Sequence, residues 1–255
     1  KRLVRGFPDS SLSSVDMYIS TKTFSDILFK STLAVRLINL VKPIVSSHLE
    51  QCLADKSLNY DELGDEHEKM LKKAIAIYAN LGTVVSDLEK VVVFLRLDKE
   101  KVSQIYPDLS LEEYYNYHLE NYVIRINSLP DILAQLGNTI CNWGIPKKKC
   151  YGTTIPDSTK VTDEDIKNKM QLLLSRISSI KTIRNEKIHT GDAEIGYFDK
   201  SLCWDTLPTL GIPLSPLLEE YSKGKKVEAI DLICDEIVEV INIAVEILNI
   251  YNSYL

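Results

Sequence analysis

Arg184, Asn185 and His189 are the residues of this chain whose types and spacing best suit chemistry. They stand in the segment Ile183-Arg184-Asn185-Glu186-Lys187-Ile188-His189. Asn185 and His189 are four residues apart and share a helix face. Arg184 and His189 are five apart, about 140° around an ideal helix, so they flank one groove rather than stack. An imidazole can take and give protons near neutrality. A guanidinium offers a planar fork of donors that matches phosphate or carboxylate oxygens. Together they suit an acid–base reaction in which negative charge builds on a bound oxyanion.

The element that must position them is a helix predicted from a cap at Thr162 and Asp165 to about Ile188. Its apolar stripe is Ile166, Met170, Leu173, Ile177 and Ile180, and the next step of that stripe is Arg184. An arginine on a core-facing stripe is costly unless an anionic group meets it. His189-Thr190-Gly191-Asp192 ends the helix, where the carbonyl end of the dipole favours an imidazolium. The plainer alternative is an arginine bound to a core carboxylate beside an incidental histidine.

The remaining periodicity is helical almost throughout. One helix is expected over 24–53, with Ile27, Leu28, Leu33, Leu37, Ile38 and Leu40 as its stripe and a kink at Pro43. A second runs over 64–95, with Val91-Val92-Val93-Phe94 read as helix for want of a strand partner. A short helix over 99–105 ends before Pro107. Ser110 and Glu113 form a capping-box pattern at the head of a helix to about 143. Gly144, Pro146, Gly152 and Pro156 mark a loop that carries Lys147-Lys148-Lys149. Ser215-Pro216 opens a short helix, and a final one runs from 227 to the end. The expected fold is all-α, an antiparallel helical bundle, with residues 1–255 forming one helical domain. Residues 1–108 supply N-terminal helices, and 109–255 form a core that carries the Arg184–His189 segment.

Composition excludes several classes. The 255 residues are 45% hydrophobic and 26% charged, with only 10 Gly and 9 Pro, which argues against collagen-like, low-complexity and turn-rich all-β chains. A net charge of −6 disfavours a protein that coats nucleic acid indiscriminately. The five cysteines (52, 141, 150, 203 and 234) form no C-x-x-C, so reduced thiols and a cytoplasmic setting are expected. No apolar run spans a membrane, and no membrane partner is expected. No signal-peptide pattern is visible, and the start at Lys1 rather than Met suggests that the natural chain begins upstream.

The segment Arg184-Asn185…His189 resembles the R-x(4–6)-H motif of the HEPN superfamily, whose common form has a polar Asn, Asp or His directly after the Arg. The resemblance covers the motif and the helical frame over 111–255. It implies a four-helix core that forms a homodimer, with two such segments facing one cleft in a composite active site. Many members are metal-independent ribonucleases of toxin–antitoxin and antiviral defence systems. Others keep the fold and only bind nucleotide, RNA or a partner protein, and that alternative stays open here. Some toxin members carry a Tyr two residues after the His; here that position is Gly191, which puts regulation through such a Tyr in doubt.

The implied reaction matches the residues. RNA supplies its own nucleophile, the 2′-OH. His189 would move the proton, Arg184 would hold the phosphorane oxygens, and Asn185 would hold the phosphate or orient the imidazole. The expected products are a 2′,3′-cyclic phosphate and a 5′-OH, and DNA should not be cut. Residues 145–190 carry a charge of +5 and the remainder −11. Lys181 and Lys187 beside the motif, with Lys147, Lys148 and Lys149, are the expected RNA contacts. The bland reading of that lysine run is a solvated, loose loop.

Other features carry less. Tyr114, Tyr115, Tyr117 and Tyr122 read as packing rather than base stacking. His67-Glu68 lacks the second histidine of H-E-x-x-H, and His48 and His118 have no ligand partners at metal spacing, so no metal is expected. There is no phosphate-binding glycine loop, and no cofactor is expected. Cys150 beside the lysine run is a candidate for a lowered pKa. Asn127, Asp131 and Asn138 are candidates to line the cleft. An antitoxin or defence-system partner protein is implied by the resemblance alone.

Overall fold

The computed structural model describes residues 23–97, 99–105, 108–178 and 216–255. Among them stand the helices α1 (Thr23–Phe29), α2 (Thr32–Ala54), α3 (Glu66–Leu95), α4 (Lys99–Ile105), α5 (Leu111–Ile140), α6 (Glu164–Arg176) and α7 (Pro216–Tyr251). Short 3-10 turns occur at Tyr60–Glu62, Lys147–Lys149, Gly152–Thr154 and Asn252–Tyr254. No strand occurs among the described residues, and the fold is all-α.

Capping chemistry sets several boundaries. Ser110 and Glu113 form the predicted reciprocal box at the head of α5. Asp65 and Glu68 form another at the head of α3. On α6 the cap is Asp163 rather than Thr162: its Oδ1 accepts from Asp165 N at 2.9 Å and Ile166 N at 3.2 Å. An ionised carboxylate suits the positive end of the helix better than a hydroxyl does.

Two sequence expectations change. The single helix over 24–53 is divided into α1 and α2 by Lys30 and Ser31. The buried Ser31 Oγ accepts from Ala34 N at 3.4 Å, starting a new helix with its own cap. At the other end, the two helices expected after residue 215 are one, because α7 runs unbroken through Gly224. A mid-helix glycine costs only about 1 kcal/mol, which a long apolar helix absorbs. Pro43 and Pro130 lie inside α2 and α5, and both helices continue past them.

Side-chain pairings fix the directions. Tyr114 Oη on α5 donates to Phe94 O on α3 at 3.2 Å, and Arg125 meets Asp87 at 3.2 Å, so α3 and α5 run antiparallel. Tyr122 Oη donates to Glu236 at 2.5 Å and Tyr251 Oη to Leu133 O at 3.1 Å, which sets α7 parallel to α5. Arg176 meets Glu239 at 2.9 Å, and Lys169 meets Glu246, so α6 runs antiparallel to α7. The result is an up-down-up-down set of α3, α5, α6 and α7, with α1 and α2 packed over α3 and α7.

The predicted stripes form the core. On α5, Leu119, Tyr122, Ile126, Leu129, Leu133, Leu136 and Ile140 are all buried, as are the predicted α7 positions from Ile230 to Tyr251. On α2 the buried line is Leu33, Leu37 and Val41, while Ile38, placed on the stripe by sequence, is exposed. One residue along a helix is about 100° of rotation, enough to turn Ile38 away from α3. Val91 and Val92 are helical and buried. Tyr114, Tyr115 and Tyr122 are packed inside, whereas Tyr117 is exposed.

Candidate functional site

The helix that leads toward residues 184–189 begins as its sequence dictates. Ile166, Met170, Leu173 and Ile177 are all buried, so the stripe whose next-but-one step is position 184 faces the core over the whole of α6. Arg184, Asn185 and His189, with Lys181 and Lys187, lie outside the described residues.

The end of the bundle from which α6 leads on is polar. Tyr122 is fully buried and donates to Glu236 of α7. Arg96 Nη2 at the end of α3 donates to Cys234 Sγ at 3.8 Å. Burial pushes the Cys234 thiol up, and the neighbouring guanidinium works against that rise. Glu239 on the same helix holds Arg176. Lys226 of α7 donates to Leu97 O at 2.7 Å and also meets Tyr115. Arginine, carboxylate, phenol and ammonium groups therefore stand at the level where the chain continues toward residue 184.

Lys147, Lys148 and Lys149 occupy a 3-10 turn at the opposite end of α6. This turn is built, not loose. Asn138 on α5 holds Ile145 at both backbone groups, with Nδ2 donating to the carbonyl at 2.8 Å and Oδ1 accepting from the N–H at 2.9 Å. Cys150 Sγ donates to Ala134 O at 3.4 Å. Asp131 Oδ1 accepts from Gly152 N at 2.8 Å. Gly152 lies so close to Pro130 that a Cβ there would stand 2.3 Å from the Pro130 Cβ. Only glycine fits that approach. The bonds to α5 flank the three lysines on both sides, while all three side chains remain exposed.

Charge in the 145–190 window is less free than its count implies. Lys169 and Arg176 are bridged to Glu246 and Glu239 of α7, and Lys167 to Glu164. Lys147, Lys148 and Lys149 carry no ion pair among the described residues. Among the described residues of that window, the turn therefore presents three exposed lysines without an ion pair.

The other sequence candidates resolve as follows. Asn127 is buried and donates to Val123 O at 2.8 Å on its own helix. Asp131 and Asn138 hold the lysine turn, and this positioning role was missed at the sequence level. Cys150 is corrected: its thiol is pushed up by burial and by Asp131, against a lowering contribution from Lys73. His118 is buried against Phe94, Tyr114 and Tyr117, and burial lowers its pKa to about 4. His48 is buried with Nε2 3.4 Å from Glu68. No group of three or more side chains suited to hold a metal ion occurs among the described residues. No helix among them is long and apolar enough to cross a membrane.

Residues 64–249 match the family model described as HEPN_Cthe2314-like HEPN. The chain belongs to this HEPN family. The match takes in α3 through most of α7, including all four helices of the up-down-up-down set. HEPN domains are in general nuclease-type or nucleotide-binding modules, and they often dimerise and bind RNA. No curated protein matches the chain, and no solved structure does.

Proposed function

We propose that this HEPN protein is a metal-independent endoribonuclease acting as a homodimer, in a toxin or antiviral-defence setting in the cytoplasm. The observation that carries the reading is the Arg184-Asn185…His189 segment, reached by continuing the buried α6 stripe within a HEPN frame. His189 takes the proton of the RNA 2′-OH or gives one to the departing 5′-oxygen. Arg184 binds the phosphorane oxygens as the charge on them grows. Asn185 holds the phosphate or orients the imidazole. The 2′-oxygen bonds to phosphorus as the bond to the 5′-oxygen breaks, leaving a 2′,3′-cyclic phosphate and a 5′-OH.

Two copies would place two histidines and two arginines at one cleft, so that acid and base come from different chains. Lys181 and Lys187 hold the strand near the reacting phosphate, and the pinned Lys147–Lys149 turn holds it farther along. The test is cleavage of RNA by wild type, His189→Ala and Arg184→Ala. Loss of cutting in both variants, with the fold retained, is expected. Cutting that persists in both would overturn the reading. A protein that binds RNA yet yields no cyclic-phosphate ends would instead be the non-cleaving, nucleotide- or RNA-binding form of the fold.

A further inference from the structure

A cavity of about 300 Å³ opens between the first half of α3 and the last half of α5, beside the lysine turn. That is the small end of the range for ligand sites, with room for one nucleotide and not for a strand. Lys73 on α3 and Lys147 on the turn both line it, and neither has an ion pair among the described residues. No carboxylate is among its lining residues. Two ammonium groups facing one recess repel each other, and an anion between them removes that cost.

The rest of the lining narrows the ligand. Asn80 and Gln135 present amides, each able to donate and accept. Neither amide has a hydrogen-bond partner among the described residues. Half-buried Ile77 supplies an apolar face between them, on the same side of α3 as Lys73 and Asn80. A bare inorganic anion would use the lysines and leave amides and apolar face idle. An apolar ligand would bury both amides unpaired. A nucleotide uses all three: phosphate on the lysines, base or sugar edge on the amides, ring face on Ile77.

We propose that this α3–α5 groove binds a single nucleotide unit, with its phosphate between Lys73 and Lys147. Asn138 is a positioning residue for it, because its grip on Ile145 sets where the turn holds Lys147. The unit is either one nucleotide of an RNA strand or a free nucleotide. The strand source rests on the RNA reading above; the free-nucleotide source does not.

The test is calorimetric titration of the full chain with each 5′-nucleoside monophosphate, with the matching nucleosides, and with a 5′-phosphorylated RNA tetramer. Lys73→Gln/Lys147→Gln is compared with wild type, and Lys42→Gln, at an exposed position of α2, serves as a charge control. Both lining lysines are exposed, so the double variant should melt as wild type does. Expected are binding of at least one monophosphate or of the tetramer, weakening by about tenfold or more in the double variant, and little change in the control. The bare nucleosides should bind much more weakly. If the strand is the source, RNA cleavage shows a raised KM at unchanged kcat in Lys73→Gln alone. If a free nucleotide is the source, Lys73→Gln weakens monophosphate binding while KM is unchanged. Absence of binding by every phosphorylated probe, or binding that the double variant leaves intact, overturns the proposal. The titration reads the groove even if the protein cuts no RNA.

Discussion

Asn138 holds Ile145 by both its backbone groups, at 2.8 and 2.9 Å, seven residues down the chain. The carboxamide replaces the pairing that a turning backbone would otherwise seek from water. Beyond Ile145 the chain is directed into the Lys147–Lys149 turn, which returns to α5 through Cys150 and Gly152. One polar residue on a core helix therefore sets the position of a turn that carries three exposed lysines.

Asn138→Ala should cost about 1–3 kcal/mol, since it leaves two partly buried backbone groups without their partner. Urea unfolding checks the stability. RNA affinity should fall as well, although residue 138 need not touch RNA. Unchanged stability and unchanged affinity would show that the latch does not control the turn.

Changing Lys147, Lys148 and Lys149 together to Gln should lower RNA affinity most at low salt. If all three contact phosphates, the slope of log affinity against log salt should shrink by about 2, at roughly 0.7 per contact for single strands. Binding measured between 50 and 300 mM salt tests this. Parallel lines for wild type and variant would place the strand elsewhere.

Two helical glycines should respond in opposite directions to alanine. A Cβ at Gly137 would stand 2.4 Å from Trp143 and 2.6 Å from Tyr251, so Gly137→Ala must push apart two packed rings. A loss of about 1–3 kcal/mol is expected. A Cβ at Gly82 meets nothing within 4 Å, and Gly82→Ala should stabilise by about 0.5–1 kcal/mol through helix propensity alone. Thermal melts of the two variants should shift in opposite senses; a shift of the same sign in both would contradict this packing.

His118 should make stability depend on pH. Its pKa falls from an ordinary 6.5 to about 4 in the fold, because burial among rings disfavours the charged imidazole. Between those values the unfolded chain binds more protons than the folded one, so stability rises with pH from about 4 to 6.5 and is lost as pH falls. The contribution is on the order of 1–3 kcal/mol. Urea unfolding at pH 4.5, 5.5 and 6.5 should show this slope in wild type and a flatter one in His118→Phe. Equal slopes would mean that His118 is not the group responsible.

Much of the bundle was legible because its stripes are long and regular. The α5 line from Leu119 to Ile140 and the α7 line from Ile230 to Tyr251 needed only spacing. The split at Ser31 was less visible, since serine is compatible with a helix until a buried cap position makes its hydroxyl a competitor. Ile38 was misplaced because adjacent apolar residues leave the stripe ambiguous by one position. The lysine turn was legible as charge but not as a built feature. Its anchors Asp131, Asn138 and Cys150 are ordinary polar residues whose partners are backbone atoms, which side-chain patterns do not reveal. The groove was missed for the same kind of reason, since Lys73 and Lys147 are far apart in sequence and only the α3–α5 register joins them.

The central claim is metal-independent cutting of RNA by His189. Its most direct measurement is incubation of a mixed RNA pool with wild type and with His189→Ala in excess EDTA, followed by mapping of product ends. The account predicts 2′,3′-cyclic phosphate and 5′-OH ends from wild type alone. The same ends appearing at the same rate from His189→Ala, or cutting by wild type that EDTA abolishes, would contradict it.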